Sequence, residues 1–228
     1  FSNEIEFNAS EIEITNNQNL TVANNAVATI KDDGVIIEGV KIEYFKDRSL
    51  IIVYNGKISK IDNSLTINSD IFEYFIDEGK LDFVNNVYIK DKKNNLIIYS
   101  DKINYDINNQ IIFGQGNSKI IDEFNNTYDV SQFEYSAKNR IIKLSNTKVF
   151  DKNKNTIDLE IAYLDLIKKE LVAKDIGLNF KISENSENEP RLKGRSLVSN
   201  ENNTIVKKGT FTFCKKREKC PPWEMRAD

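Results

Sequence analysis

Not one histidine occurs among the 228 residues, so the side chain most often used as a general base or metal ligand near neutral pH is missing. Cysteine is nearly as scarce: Cys214 and Cys220 both stand close to the C-terminal end, leaving the rest of the chain without a staple. Six residues apart is too wide for a Cys-x-x-Cys redox pair and offers too few ligands for zinc. No run of about 18 apolar residues exists, so no transmembrane helix is predicted. Nor is there an excess of positive charge. A net charge of -3 and a pI near 5.3 give no reason to expect nucleic acid as the partner. No nucleophile–base pair is legible either, and nothing calls for a cofactor or a metal, so no enzyme is expected.

What the chain does have is apolar and aromatic residues. Hydrophobic residues make up 39%, with 13 Phe and 9 Tyr, enough to bury a core. A charged fraction of 29% and a mean hydropathy of -0.50 place that core inside a water-facing fold. The length suits one large all-β domain. The chain starts at Phe1 with neither Met nor signal peptide and stops at Asp228, as a trimmed piece of a longer protein is expected to.

The apolar residues repeat. Tyr44, Tyr74, Tyr105, Tyr135 and Tyr163 are spaced 30, 31, 30 and 28 residues apart, and Ile14 opens a weaker copy 30 residues before the first. Two residues before each tyrosine stands Ile42, Phe72, Ile103, Phe133 or Ile161. After a polar loop comes a second apolar cluster (Leu50–Val53, Leu81–Val84, Ile111–Phe113, Ile141–Leu144, Leu171–Ala173), then a breaker and a third short strand. A fixed period of this length predicts a stacked repeat architecture. The runs are short and rich in Ile, Val, Phe and Tyr, which predicts strands. Residues 159–173 could also form an apolar helical stripe, but their place in the repeat assigns them to strands. Ile5-Glu6-Phe7 and Ile12-Glu13-Ile14 alternate as half-buried strands do, and the glutamates would discourage stray pairing at a sheet edge. Residues 190–213 read as a degenerate last copy that caps the stack.

Alternation assigns an inner face: Ile42/Tyr44, Phe72/Tyr74, Leu81/Phe83, Ile103/Tyr105, Ile112, Phe133/Tyr135, Ile142/Leu144 and Ile161/Tyr163. Stacked in register these residues make an apolar strip along the repeat axis. Periodicity leaves two readings of it open. One is a solid solenoid core. The other is a V-shaped stack of antiparallel strands, parted along one side, whose groove would gain about 0.8 kcal/mol for each ligand methylene it buries.

Three further patterns have plainer readings. Asp32, Asp62, Asp91, Asp122 and Asp151 recur at 29 to 31 residues. Such a ladder could bind calcium or attack a polysaccharide, but aspartate is also a preferred turn former, and turn capping is the expectation here. Gly114-Gln115-Gly116 lacks the third glycine and the helix of a phosphate loop and is read as a strand breaker. The lysines and Arg217 between Lys207 and Lys219 are read as a solvated linker.

The recurring phrase Asp-x-Ile-x-Tyr … Gly-x-Gly-x-x-x-Ile resembles the OstA repeat of lipopolysaccharide-transport proteins. The end of the chain is more specific: Pro190-Arg-Leu-Lys-Gly-Arg-Ser, then Lys208-Gly-Thr-Phe-Thr-Phe-Cys214, then Pro222-Trp-Glu-Met-Arg-Ala. It resembles the hinge at which the periplasmic domain of the LptD family of outer-membrane assembly proteins meets its barrel. That resemblance implies a repeat-built β-jellyroll over residues 1–213, with 214–228 leading into a C-terminal β-barrel, in a periplasmic domain of an outer-membrane protein. It implies that lipid A acyl chains of lipopolysaccharide pass along the apolar groove. It also implies a periplasmic LptA-like bridge protein pairing with the strand edge at Ile5, Phe7, Ile12 and Ile14, and an LptE-like lipoprotein plug in the barrel. Cys214 matches the family cysteine that bonds to one in the barrel, and a local Cys214–Cys220 disulfide competes with that pairing. A soluble bridge protein of the same fold and a rigid solenoid without ligand remain the alternatives.

Overall fold

A strand that alternates faces must reverse its phase when one extra residue is inserted, and nearly every long strand here does so at its midpoint. In a computed structural model the chain is all-β and antiparallel, described over residues 5–15, 17–151, 155–180, 188–200, 202–215 and 224–227. The strands are β1 (Ile5–Asn8), β2 (Glu11–Thr15), β3 (Leu20–Ile30), β4 (Val35–Phe45), β5 (Leu50–Lys60), β6 (Leu65–Phe75), β7 (Lys80–Asp91), β8 (Leu96–Asp106) and β9 (Ile111–Ile121). They continue with β10 (Thr127–Ser136), β11 (Ile141–Phe150), β12 (Thr156–Asp165), β13 (Glu170–Asn179), β14 (Asn188–Ser199), β15 (Thr204–Lys207), β16 (Gly209–Lys215) and β17 (Met225–Ala227). Residues 159–173 are therefore two strands and a turn, as the repeat requires. The second and third short strands of each predicted copy are the two halves of one bent strand.

The chain forms two compact units, Phe1–Ser118 with Ser136–Lys138, and Lys119–Tyr135 with Asn139–Asp228. The division falls inside the span read from sequence as one jellyroll. In the first unit β3 to β8 pair successively, each with the next. β1 and β2 lie end to end on the other side of β3 in one register, from Ile5 opposite Ile30 to Thr15 opposite Leu20. In the second unit β11 to β14 pair successively. β14 then divides its length between β15 and β16, and β17 folds back onto Gly209–Phe211. The sheet is open and solenoid-like, consistent with a jellyroll-type arrangement.

In β3, β5, β11 and β13 the midpoint bend falls on an asparagine or aspartate. Asn25, Asn55 and Asn146 have φ of 46°, 46° and 49°, and Asp175 has 51°. Asn and Asp enter this left-handed region more readily than other non-glycine residues. Either side of the bend the buried positions change parity: Leu65, Ile67 and Ser69, then Phe72 and Tyr74; Leu96, Ile98 and Ser100, then Ile103 and Tyr105. Residues turned inward at the bend are small. Gly39 stands opposite Gly56, and a Cβ on Gly56 would lie 2.4 Å from Val53 Cγ1 and 2.5 Å from the Glu38 carbonyl oxygen. The Ser69 and Ser100 hydroxyls donate to the carbonyls of Ile71 and Lys102 at 3.0 and 3.1 Å, satisfying acceptors that the bend withdraws from the ladder.

The bend folds the sheet so that the two halves of each strand, here called arms, face one another within a unit. Phe7 is opposite Ala28 and Tyr44 is opposite Thr21. In a flat sheet seven residues of strand, about 23 Å, would separate their levels; their ring centroids are 6.3 Å apart. The hairpin turns at the arm tips are themselves linked. The amides of Lys46, Ile76 and Ile107 donate to the carbonyls of Asn19, Ser49 and Gly79, each at 2.9 Å. Leu166 does the same to Arg140 in the second unit.

Candidate functional site

The column singled out from sequence lies between the arms. In the first unit Ile42, Phe72, Tyr74, Leu81, Phe83, Ile103, Tyr105 and Ile112 are all buried, and the rings of Phe72 and Phe83 lie 5.0 Å apart. Tyr44 is half-buried against Phe7. In the second unit Phe133, Tyr135, Ile142 and Leu144 are buried. Each such side chain contributes about 1.5–3 kcal/mol through burial. The facing arm supplies residues that the anchor column omitted, Ile37, Ile67 and Ile98 among them. Their signal was the parity change at the bend.

Ile161 and Tyr163 do not belong to this column. They are 39% and 48% exposed, while Ala162 and Leu164 between and beside them are buried. The last copy is spaced 28 residues from the one before instead of 30 or 31. Aligning its tyrosine therefore shifted the register by one residue and turned every side chain to the wrong face. At the N-terminal edge Ile5 and Phe7 are half-buried, and Ile12 and Ile14 are exposed at 47% and 60%. Within the first unit no strand pairs along the other side of β1 and β2 among the described residues. Cys214 is a backbone position in β16; Cys220, and with it the disulfide, lies outside the described residues.

The lips of the arms are held by side chains. The Tyr74 hydroxyl donates to the Asp33 carboxylate, joining the far end of β6 to the β3–β4 turn. Burial first, and then this bond, raises the Tyr74 pKa above the ordinary tyrosine value. In the second unit Lys169 pairs with Glu123 at 3.2 Å and lies over the Phe124 ring at 5.0 Å. Burial pushes Tyr105 up to about 12, and its hydroxyl has no hydrogen-bond partner among the described residues. That leaves an apolar interior whose few polar groups include these phenols.

The aspartate ladder caps turns. Asp91 accepts from the Asn94 amide and side chain at 3.0 and 2.8 Å. Asp122 does so from Asn126, both at 2.9 Å, and Asp151 from Asn155 at 2.8 and 2.7 Å. Asp62 accepts from the Ser64 amide at 2.9 Å. Among the described residues no three acidic or cysteine side chains gather as a metal site would require.

No protein-family model and no curated protein matches the chain. One solved structure to which the chain is similar is LptH, the LptA homologous periplasmic component of the conserved lipopolysaccharide transport device from Pseudomonas aeruginosa. The two are 14% identical with a TM-score of 0.44, over 50% of this chain and 82% of that one. A likeness of this size carries no argument about function.

Proposed function

We propose that this chain is a non-catalytic periplasmic module of the lipopolysaccharide-transport type, acting as a bridge segment that shelters acyl chains between its arms. The observation that carries this is the apolar column from Ile42 to Ile112, enclosed between arms whose lip is joined at Tyr74 by a side-chain bond and not by strand pairing. Lips held in this way part without breaking the ladder. The free edge of β1 and β2 would take the last strand of a like-folded neighbour by strand addition. The receiving-domain form of the same reading, with residues 214–228 leading into a barrel that an LptE-like plug fills, rests on the C-terminal resemblance alone. The return of β17 onto β16 suits a capped bridge better.

A photo-crosslinking residue at Tyr105 or Tyr135 is expected to capture lipopolysaccharide in cells, while one at outward Asn104 or Glu134 is not. Equal capture from both faces would remove the carrier reading. A second reading, a rigid spacer without ligand, is favoured by one observation: Phe72, Tyr74, Leu81 and Phe83 are all 0% exposed. Thermal stabilisation by lipid A, absent with the bare sugar, would count against the spacer.

A further inference from the structure

Tyr74 and Tyr105 occupy the same place in successive repeats, 31 residues apart, yet only one has its hydroxyl satisfied. Tyr74 donates to Asp33 in the turn opposite. Thirty residues after Asp33, at the same place in the β5–β6 turn, stands Asn63, whose side chain makes no bond to Tyr105. The Tyr105 hydroxyl, on a residue 4% exposed, therefore has no partner among the described residues. Leaving a buried donor unbonded is destabilising. Phe at this position would pack the same column without that cost. The carboxylates near Tyr105, Asp91 and Asp106, act on it through charge alone, and both spend their oxygens on Asn94 and Asn109.

We infer that Tyr105 is the polar foothold of the interior, where the phenol donates to the first carbonyl of an acylated amphiphile whose chain lies along Phe83 and Ile103. The ligand class is an ester- or amide-linked acyl chain, with its carbonyl at the lip and its methylenes inside. This inference rests on the carrier reading and adds to it a position and a recognised group. Tyr74, already bonded to Asp33, is the closed counterpart of the same position.

The test uses the full 228-residue chain and two probes, 1-monolauroylglycerol and its ether analogue 1-O-dodecylglycerol, which lacks the carbonyl. Wild type is expected to bind the ester about fivefold or more tighter than the ether, the scale of one hydrogen bond. Tyr105→Phe should abolish that preference with no fall in Tm. Asn63→Asp, which places a carboxylate where Asp33 serves Tyr74, should raise Tm and weaken the ester specifically. If wild type and Tyr105→Phe bind both probes alike, the foothold is wrong and the carrier reading stands. If wild type binds neither probe, both are wrong. A clear drop in the Tm of Tyr105→Phe would show that the hydroxyl already has a partner and would overturn the inference.

Discussion

Lys169 and Glu123 meet at 3.2 Å although they belong to hairpin turns at opposite ends of the strands that carry them. They can do so only because the sheet that joins them bends, at Asn146 in β11 and at Asp175 in β13. The pair is partly exposed, with side chains at 42% and 31%, so solvent screening limits its worth. Replacing Lys169 by Ala is expected to cost about 0.5–1 kcal/mol, including the contact with the Phe124 ring. Urea unfolding at low and high salt measures this. A cost that does not shrink with salt would mean that packing, not charge, holds the lip.

Gly56→Ala tests the bend. Its new methyl would meet Val53 and the Glu38 carbonyl at under 3 Å, and overpacking of this kind costs about 1–3 kcal/mol. Adding Val53→Ala relieves the side-chain clash but not the backbone one, so the double variant should stay less stable than Val53→Ala alone. Equal stability of those two variants would disprove the close approach of β4 and β5.

The outward placement of Tyr163 is checked by a pair of lysines. Tyr163→Lys should change stability by no more than about 0.5 kcal/mol, the usual range at an exposed site. Leu164→Lys buries a charge between the arms and should unfold the unit or lower Tm by many degrees. Similar effects from both would restore the register first read from the sequence.

Acid sensitivity follows from the turns. Asp62, Asp106 and Asp165 have depressed pKa values, held down chiefly by the Ser64 side chain, the Asn109 amide and the Lys168 amide respectively. A carboxyl whose folded pKa lies below its unfolded value of about 3.9 stabilises fully above that value and stops doing so as pH falls through the folded one. The urea midpoint should therefore drop as pH falls below about 4. In Asp106→Ala/Asp165→Ala the midpoint should start lower at pH 6 and fall less. An unchanged slope in the double variant would show that other carboxylates govern the acid limb.

Much of this was legible in the chain because tyrosine and its apolar neighbour two residues before it mark one arm every 30 residues. Phe72 with Tyr74, Ile103 with Tyr105 and Phe133 with Tyr135 are where that column placed them. The bends were not legible. Asn55 ends one alternating run and begins another of opposite parity, which reads as a gap between two strands unless the left-handed backbone is known. Ile161 and Tyr163 failed for a related reason: the inward residue at that level is Ala162, too small to compete with a tyrosine as an alignment mark. The aspartates were read as turn formers, and the asparagines that follow Asp91, Asp122 and Asp151 three or four residues on are the groups they bond.

Successive hairpin turns in the first unit accept one amide from the turn a repeat later, from Asn19 and Lys46 through Ser49 and Ile76 to Gly79 and Ile107. These rungs tie only adjacent turns, so the fold carries no internal measure of its own length. A hairpin of about thirty residues can be added or deleted at a turn while its neighbours keep their bonds. Reach is then adjustable in steps of two strands, roughly 10 Å at the spacing of a β-sheet, and only the two ends have fixed identities.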